Sequence, residues 1–148
     1  MALWQVGFFI LPKGSLKHGG KLDKSEEHTF DDAPFWESLN IDYSFFDPIK
    51  RFLPEGKSWS KNVILYGEEN SHRLEVLFEN SIIISVSFRI DFTSDYEQIL
   101  NEIIEFCIFN GLIILDEDLN ILPLNFQSVK SIIENSPQVK KYNRLSNQ

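Results

Sequence analysis

Two rhythms divide the apolar positions of this chain. Leu74, Val76 and Phe78 alternate with Arg73, Glu75 and Leu77, and beyond the polar pair Asn80 and Ser81 the alternation resumes. There Ile82, Ile84, Val86, Phe88 and Ile90 are set against Ile83, Ser85, Ser87, Arg89 and Asp91. Successive side chains of a strand point to opposite faces, so this is a hairpin whose buried face carries Ile82, Ile84, Val86, Phe88 and Ile90. Residues 3–11 and 62–66 (NVILY) are compact apolar runs that stop at Pro12 and Gly67. They predict two more strands, the first buried on much of both faces.

After Thr93 the period lengthens. Tyr96, Ile99, Leu100, Ile103, Ile104, Cys107 and Ile108 recur at helical spacing, with Glu97, Asn101, Glu102 and Glu105 largely opposite. Ser94 and Glu97 have the spacing of a capping box, and Gly111 suits the left-handed residue that ends a helix. Residues 112–115 then read as a short strand, 116–118 as a turn and 119–122 as a partner strand ending at Pro123. A last helix over residues 125–135 buries Phe126, Val129, Ile132 and Ile133, and Pro137 prevents its continuation. Two short helical pieces lie earlier. In DDAPFWESL, Asp31 and Asp32 precede a first-turn proline, and in FDPIKRFLP, Asp47 caps a turn that opens with Pro48. Residues 13–29 form a long polar loop, and residues 138–148 a polar tail that frays. The order predicts an α+β fold: a central, mainly antiparallel sheet of four to six strands, with a long helix and shorter helices packed on it. Nothing marks a linker, so residues 1–148 are expected to form a single domain.

Composition agrees with a packed core, since 43% of residues are hydrophobic and thirteen are Phe. The single Cys107 excludes an internal disulfide and fits a reducing compartment. MALWQVGFFILPKG has neither a basic start nor a small-residue cleavage site, so no signal peptide is expected. No apolar run is long enough to span a bilayer, and a cytoplasmic location without membrane attachment follows. Charge sharpens the picture further. Residues 90–129 hold eight acids and no Lys or Arg. Residues 62–137 carry thirteen acids against three bases, and the remainder nine against eleven, which together give the net −8. A one-signed field of this kind steers cationic partners and repels nucleic acid.

No motif names a reaction. A metal site would need converging ligands, and His18, His28 and His72 have no ligand spacing, although His28 with Asp31 and Asp32 forms a weak candidate beside the long loop. Cys107 lies on the apolar stripe of the long helix, where a thiol is inert. Ser71 stands beside His72 in a polar turn, but no G-x-S-x-G occurs. Asp116 and Asp118 sit in an exposed turn that lacks the glycine and the later Glu of a calcium loop. His18-Gly19-Gly20 lacks what a phosphate loop requires. Lys50, Arg51, Lys57 and Lys61 around Trp59 are too few to track a phosphate backbone. Trp36 and Trp59 fit either core packing or an interface anchor. No catalytic set, metal or cofactor is expected.

FDDAPFW, the FLPEGKSWS turn, the hairpin ending in FRIDF, the long helix, LDEDLNILP and the closing SIIENSPQVKKY together resemble small bacterial immunity proteins. Such proteins neutralise a cognate toxin in polymorphic-toxin or contact-dependent-inhibition systems. The resemblance implies a non-enzymatic inhibitor that covers a toxin's active site, commonly that of a basic nuclease, with an acidic surface. The contacts expected from the acidic stretch are Glu97, Glu102, Glu105, Asp116, Glu117 and Asp118, facing one cationic protein toxin. Two alternatives remain. One is a small metal-dependent hydrolase using His28, Asp31 and Asp32, and the other an adaptor whose sheet edge or Trp-bearing loop binds a peptide.

Overall fold

The computed structural model describes residues 2–14 and 31–146. The long polar loop expected over residues 13–29 lies, beyond Gly14, outside the described residues. The elements in order are β1 (Gln5–Pro12), α1 (Ala33–Glu37), a 3-10 helix (Tyr43–Arg51), β2 (Val63–Gly67), β3 (Arg73–Glu79) and β4 (Ile82–Asp91). They continue with α2 (Glu97–Phe109), β5 (Leu112–Leu115), α3 (Phe126–Glu134) and α4 (Pro137–Ser146). The strands form one five-stranded sheet in the order β2-β3-β4-β1-β5, antiparallel throughout. The α+β architecture read from the sequence is therefore present.

Register explains the core. Tyr66 pairs with Leu74, Leu74 with Phe88, and Phe88 with Phe8, so one row of large side chains crosses four strands. The Phe8 and Phe88 rings stack at 4.8 Å. Asn80 and Ser81 both have positive φ, the two-residue turn whose twist matches that of its strands. Next to it the alternation slips, because Phe78 pairs with Ile83 while Leu77 pairs with Ser85. Ile84 is the extra residue of a bulge, and the fully buried position is Ile83 rather than the expected Ile82 and Ile84. Both outer strands are covered by short loop segments. The Gly67 amide bonds Pro54 O at 2.8 Å, and the Leu122 amide bonds Ile114 O at 2.9 Å. The partner strand expected over residues 119–122 is thus a single bridge between Leu115 and Ile121.

α1 packs on β4 and β1, and its Trp36 is wholly buried, with Nε1 donating to Ile10 O at 3.0 Å. Trp36 meets Phe46 of the 3-10 helix edge-on, and Phe46 meets Phe106 of α2, an aromatic chain that ties three helical elements together. The 3-10 helix starts earlier than expected: Asp42 rather than Asp47 caps it, accepting from the Ser44 amide at 2.9 Å, and Pro48 lies inside. α2 buries Leu100, Ile103, Ile104 and Cys107 and ends before Gly111, at φ +67°. Its 13 residues make an ordinary helix rather than a long one. The expected capping box is absent, since Tyr96 precedes the first turn without a side-chain cap and Ser94 bonds elsewhere. Pro137 does stop α3, but it also opens α4, so the tail expected to fray is helical to Ser146 and rests its Tyr142 ring edge-on against Phe92. Among the described residues, no helix is long and apolar enough to cross a membrane.

Candidate partner-binding surface

Gln98, Glu102, Glu105 and Phe109 follow one another at spacings of four, three and four, which places them on one stripe of α2. It lies on the opposite side of the helix from the buried Leu100, Ile103, Ile104 and Cys107, with half-buried Phe106 between the two. Pro48, Arg51 and Phe52 of the 3-10 helix and its C-terminal end face it, and between the two lies an open groove of about 780 Å³ with Phe106, Ile108 and Asn110 along it. Ile108, expected on the buried stripe, is 56% exposed, and Phe109 is 89% exposed. A large aromatic side chain left in water beside an open groove marks a contact surface more often than a folding defect. Against these apolar groups stand two carboxylates and one cation. Glu102 and Glu105 make no ion pair among the described residues; Asn101 Nδ2 reaches Glu105 Oε1 only at 3.5 Å. Arg51 turns its Nε back to Pro48 O at 3.5 Å.

The other expected contacts go elsewhere. Glu97 accepts from Lys130 of α3 at 2.6 Å, and that bond raises the lysine's pKa. Asp116 builds its own turn, accepting from the Asp118 and Asn120 amides, each at 2.9 Å, and from Asn120 Nδ2 at 3.1 Å. Glu117 works on the sheet. β5 pairs with β1 only from Phe9 onward, and in the place a longer β5 would occupy, Glu117 Oε1 accepts from the Gly7 amide at 3.0 Å. Its Oε2 is held by Gln138 Nε2 of α4 at 2.7 Å. Asp116, Glu117 and Asp118 border a second depression of about 330 Å³ with Gly7, Ile132 and Ser136. The six acids therefore occupy three places, and only Glu102 and Glu105 meet in the groove.

The candidates for chemistry are also placed. Asp32 does not face an open site: its Oδ2 accepts from the Ser85 hydroxyl at 2.8 Å and from the Val86 amide at 3.3 Å, and burial pushes its pKa up to about 6. Asp31 caps the turn through the Ala33 amide at 3.0 Å. His18 and His28 lie outside the described residues, among which no three His, Cys, Asp or Glu side chains stand close enough to hold a metal ion. The buried Cys107 thiol is pushed up to about 12 by desolvation. Serine and histidine do meet, at 3.1 Å between Ser94 Oγ and His72 Nε2, a pair that the sequence reading of Ser71 missed because Ser94 lies 22 residues away, in the turn between β4 and α2. The tautomer is wrong for a general base. His72 Nδ1 accepts from the Asp91 amide at 3.1 Å, so Nε2 carries the proton and gives it to Asp95 O or Ser94 Oγ. The Asp91 carboxylate meanwhile bonds Thr93. Trp59 is 64% exposed and reaches Glu75 at 3.4 Å, while Glu75 is paired with buried Arg73.

Periodicity located Glu102 and Glu105 but missed Phe109, Ile108 and Arg51. The available signal was the heptad-like spacing from Glu102 to Phe109, which sets an aromatic on a charged stripe. No protein-family model, no curated protein and no solved structure matches the chain.

Proposed function

We propose that this protein is a non-enzymatic inhibitor of the bacterial immunity type, acting in the cytoplasm by seating one cationic protein toxin against the α2 groove. The observation that carries this reading is Phe109, 89% exposed at the end of the stripe that also bears Glu102 and Glu105. Such an arrangement combines an apolar anchor, which lengthens residence, with carboxylates that speed encounter. A basic toxin domain, for example a nuclease, supplies the complementary charge. Asp116, Glu117 and Asp118 add to the long-range field while serving the turn and the sheet edge.

The test is direct. A basic domain encoded beside this chain is purified, and its toxic activity is measured with and without the protein at low and high salt. Neutralisation with an association rate that falls steeply as salt rises is expected. Retention of full toxin activity in a molar excess of the protein ends the proposal.

A further inference from the structure

The groove constrains the partner's shape as well as its charge. Resting on the function proposed above, we infer that the groove receives a basic amphipathic helix of the partner, laid along Gln98, Glu102, Glu105 and Phe109. Every residue bordering the groove comes from α2, the 3-10 helix or the residue next to each. No strand edge is among them, so an extended segment finds no ladder of backbone donors and acceptors on which to add. Spacing points the same way. Glu102 and Glu105 are offset by about 4.5 Å along the axis of α2. Side chains one turn apart on a second helix repeat at about 5 Å, whereas same-face side chains of a strand repeat at about 6.7 Å. A helix lets two Lys or Arg meet both carboxylates without bending.

Charge selects the occupant. α2 has no basic residue in its last turn, so the negative end of its dipole adds to Glu102 and Glu105 where Phe109 emerges. A second copy of this chain is a poor fit, because it carries the same net −8 and would bring like carboxylates together. On the partner helix, Lys or Arg one turn apart face Glu102 and Glu105, and an apolar patch about two turns along takes Phe109 and Ile108. Arg51, on the opposite wall, sets the polarity by favouring an acid or an amide on the outer side of that helix.

A stapled helical peptide of about 12 residues, long enough to cover the stripe, serves as the probe. It carries two Lys one turn apart and two Leu at the matching end; its control is a stapled isomer of identical composition with the stripe scrambled. Titrated into the full, ¹⁵N-labelled chain, the striped peptide should shift amides within residues 98–110 together with Arg51 and Phe52. The scrambled isomer should bind about tenfold more weakly. Glu102→Gln with Glu105→Gln, and separately Phe109→Ser, should each weaken the striped peptide to a similar extent while leaving the thermal melt unchanged. Equal affinity for both peptides overturns the inference, as do shifts centred on residues 116–118 or a concentration-dependent dimer that the Phe109→Ser change abolishes. The proposed function fails separately. A toxin that is neutralised while the striped peptide shows no preference removes the helix alone, and a peptide that seats while the toxin stays active removes the inhibitor reading.

Discussion

Asp32 is 5% exposed, and its Oδ2 receives one hydroxyl and one amide, which together do not replace the water that an ionised carboxylate loses on burial. Its pKa accordingly rises from 3.8 to about 6, with neighbouring Asp31 adding a smaller push. The folded chain therefore holds a proton between these pH values that the unfolded chain has released. The associated stability is fully present below pH 3.8 and is lost as pH rises through about 6. Compared with Asp32→Asn, the wild-type chain should lose about 2 kcal/mol between pH 4 and pH 7 in urea unfolding. Parallel pH profiles for the two proteins would show that Asp32 is not buried as described. His72 gives a second residue-level expectation. Its ring joins the residues before β3 to the end of β4 and the approach to α2, and its tautomer follows from the Asp91 amide. Nitrogen chemical shifts should report Nε2–H with Nδ1 as acceptor. An Nδ1–H form would reverse that assignment and make Ser94 a candidate nucleophile.

At the scale of elements, two glycines with positive φ separate steric from conformational cost. Gly67, at φ +89°, closes β2, and a Cβ there would overlap the His72 carbonyl oxygen and stand 3.1 Å from Leu53 Cδ2. Gly111, at φ +67°, follows α2 with nothing within 4 Å of a Cβ. Gly111→Ala should cost about 1 kcal/mol, the left-handed penalty alone, and Gly67→Ala at least about 3 kcal/mol, measured by urea unfolding. Equal costs would mean that β2 can move away from His72. These glycines also mark what was legible. Gly67 and Gly111 stop their elements in the sequence as in the fold, and the hairpin, α2 and α3 followed from periodicity alone. The bulge at Ile84 did not, because alternation continues through it and only the partner strand reveals the extra residue. Nor did the caps. Asp42, Asp47, Asp31 and Asp32 all have the right chemistry, and the choice among them depends on tertiary burial. α4 was hidden because Pro137 can end one helix or begin the next, and local sequence does not say which.

Across the whole molecule, the acidic excess of residues 90–129 separates into charge that folds the chain and charge left for a partner. Glu97 is matched by Lys130, Asp91 by Thr93, Asp116 by its own turn, and Glu117 by Gly7 and Gln138. For Glu97 and Glu117 no arrangement of acids in the sequence distinguished these roles, because their partners lie on other elements: Glu97 and Lys130 are 33 residues apart, and Glu117 and Gly7 are 110. Glu102 and Glu105, three residues apart on α2, gain nothing comparable and repel one another. The two classes therefore predict opposite signs. Glu117→Ala should destabilise the fold by about 1 kcal/mol, since it leaves the Gly7 amide and Gln138 without their acceptor, and it should change association with a cationic domain only modestly. Replacing Glu102 and Glu105 by Gln should leave stability unchanged or raise it by a few tenths of a kcal/mol, while slowing that association and flattening its dependence on salt. Urea unfolding and stopped-flow binding on both variants measure the two quantities independently. A loss of stability in the Glu102 and Glu105 variant as large as that of Glu117→Ala would assign these carboxylates to the fold. The groove would then keep only its apolar residues as a claim to being an interface.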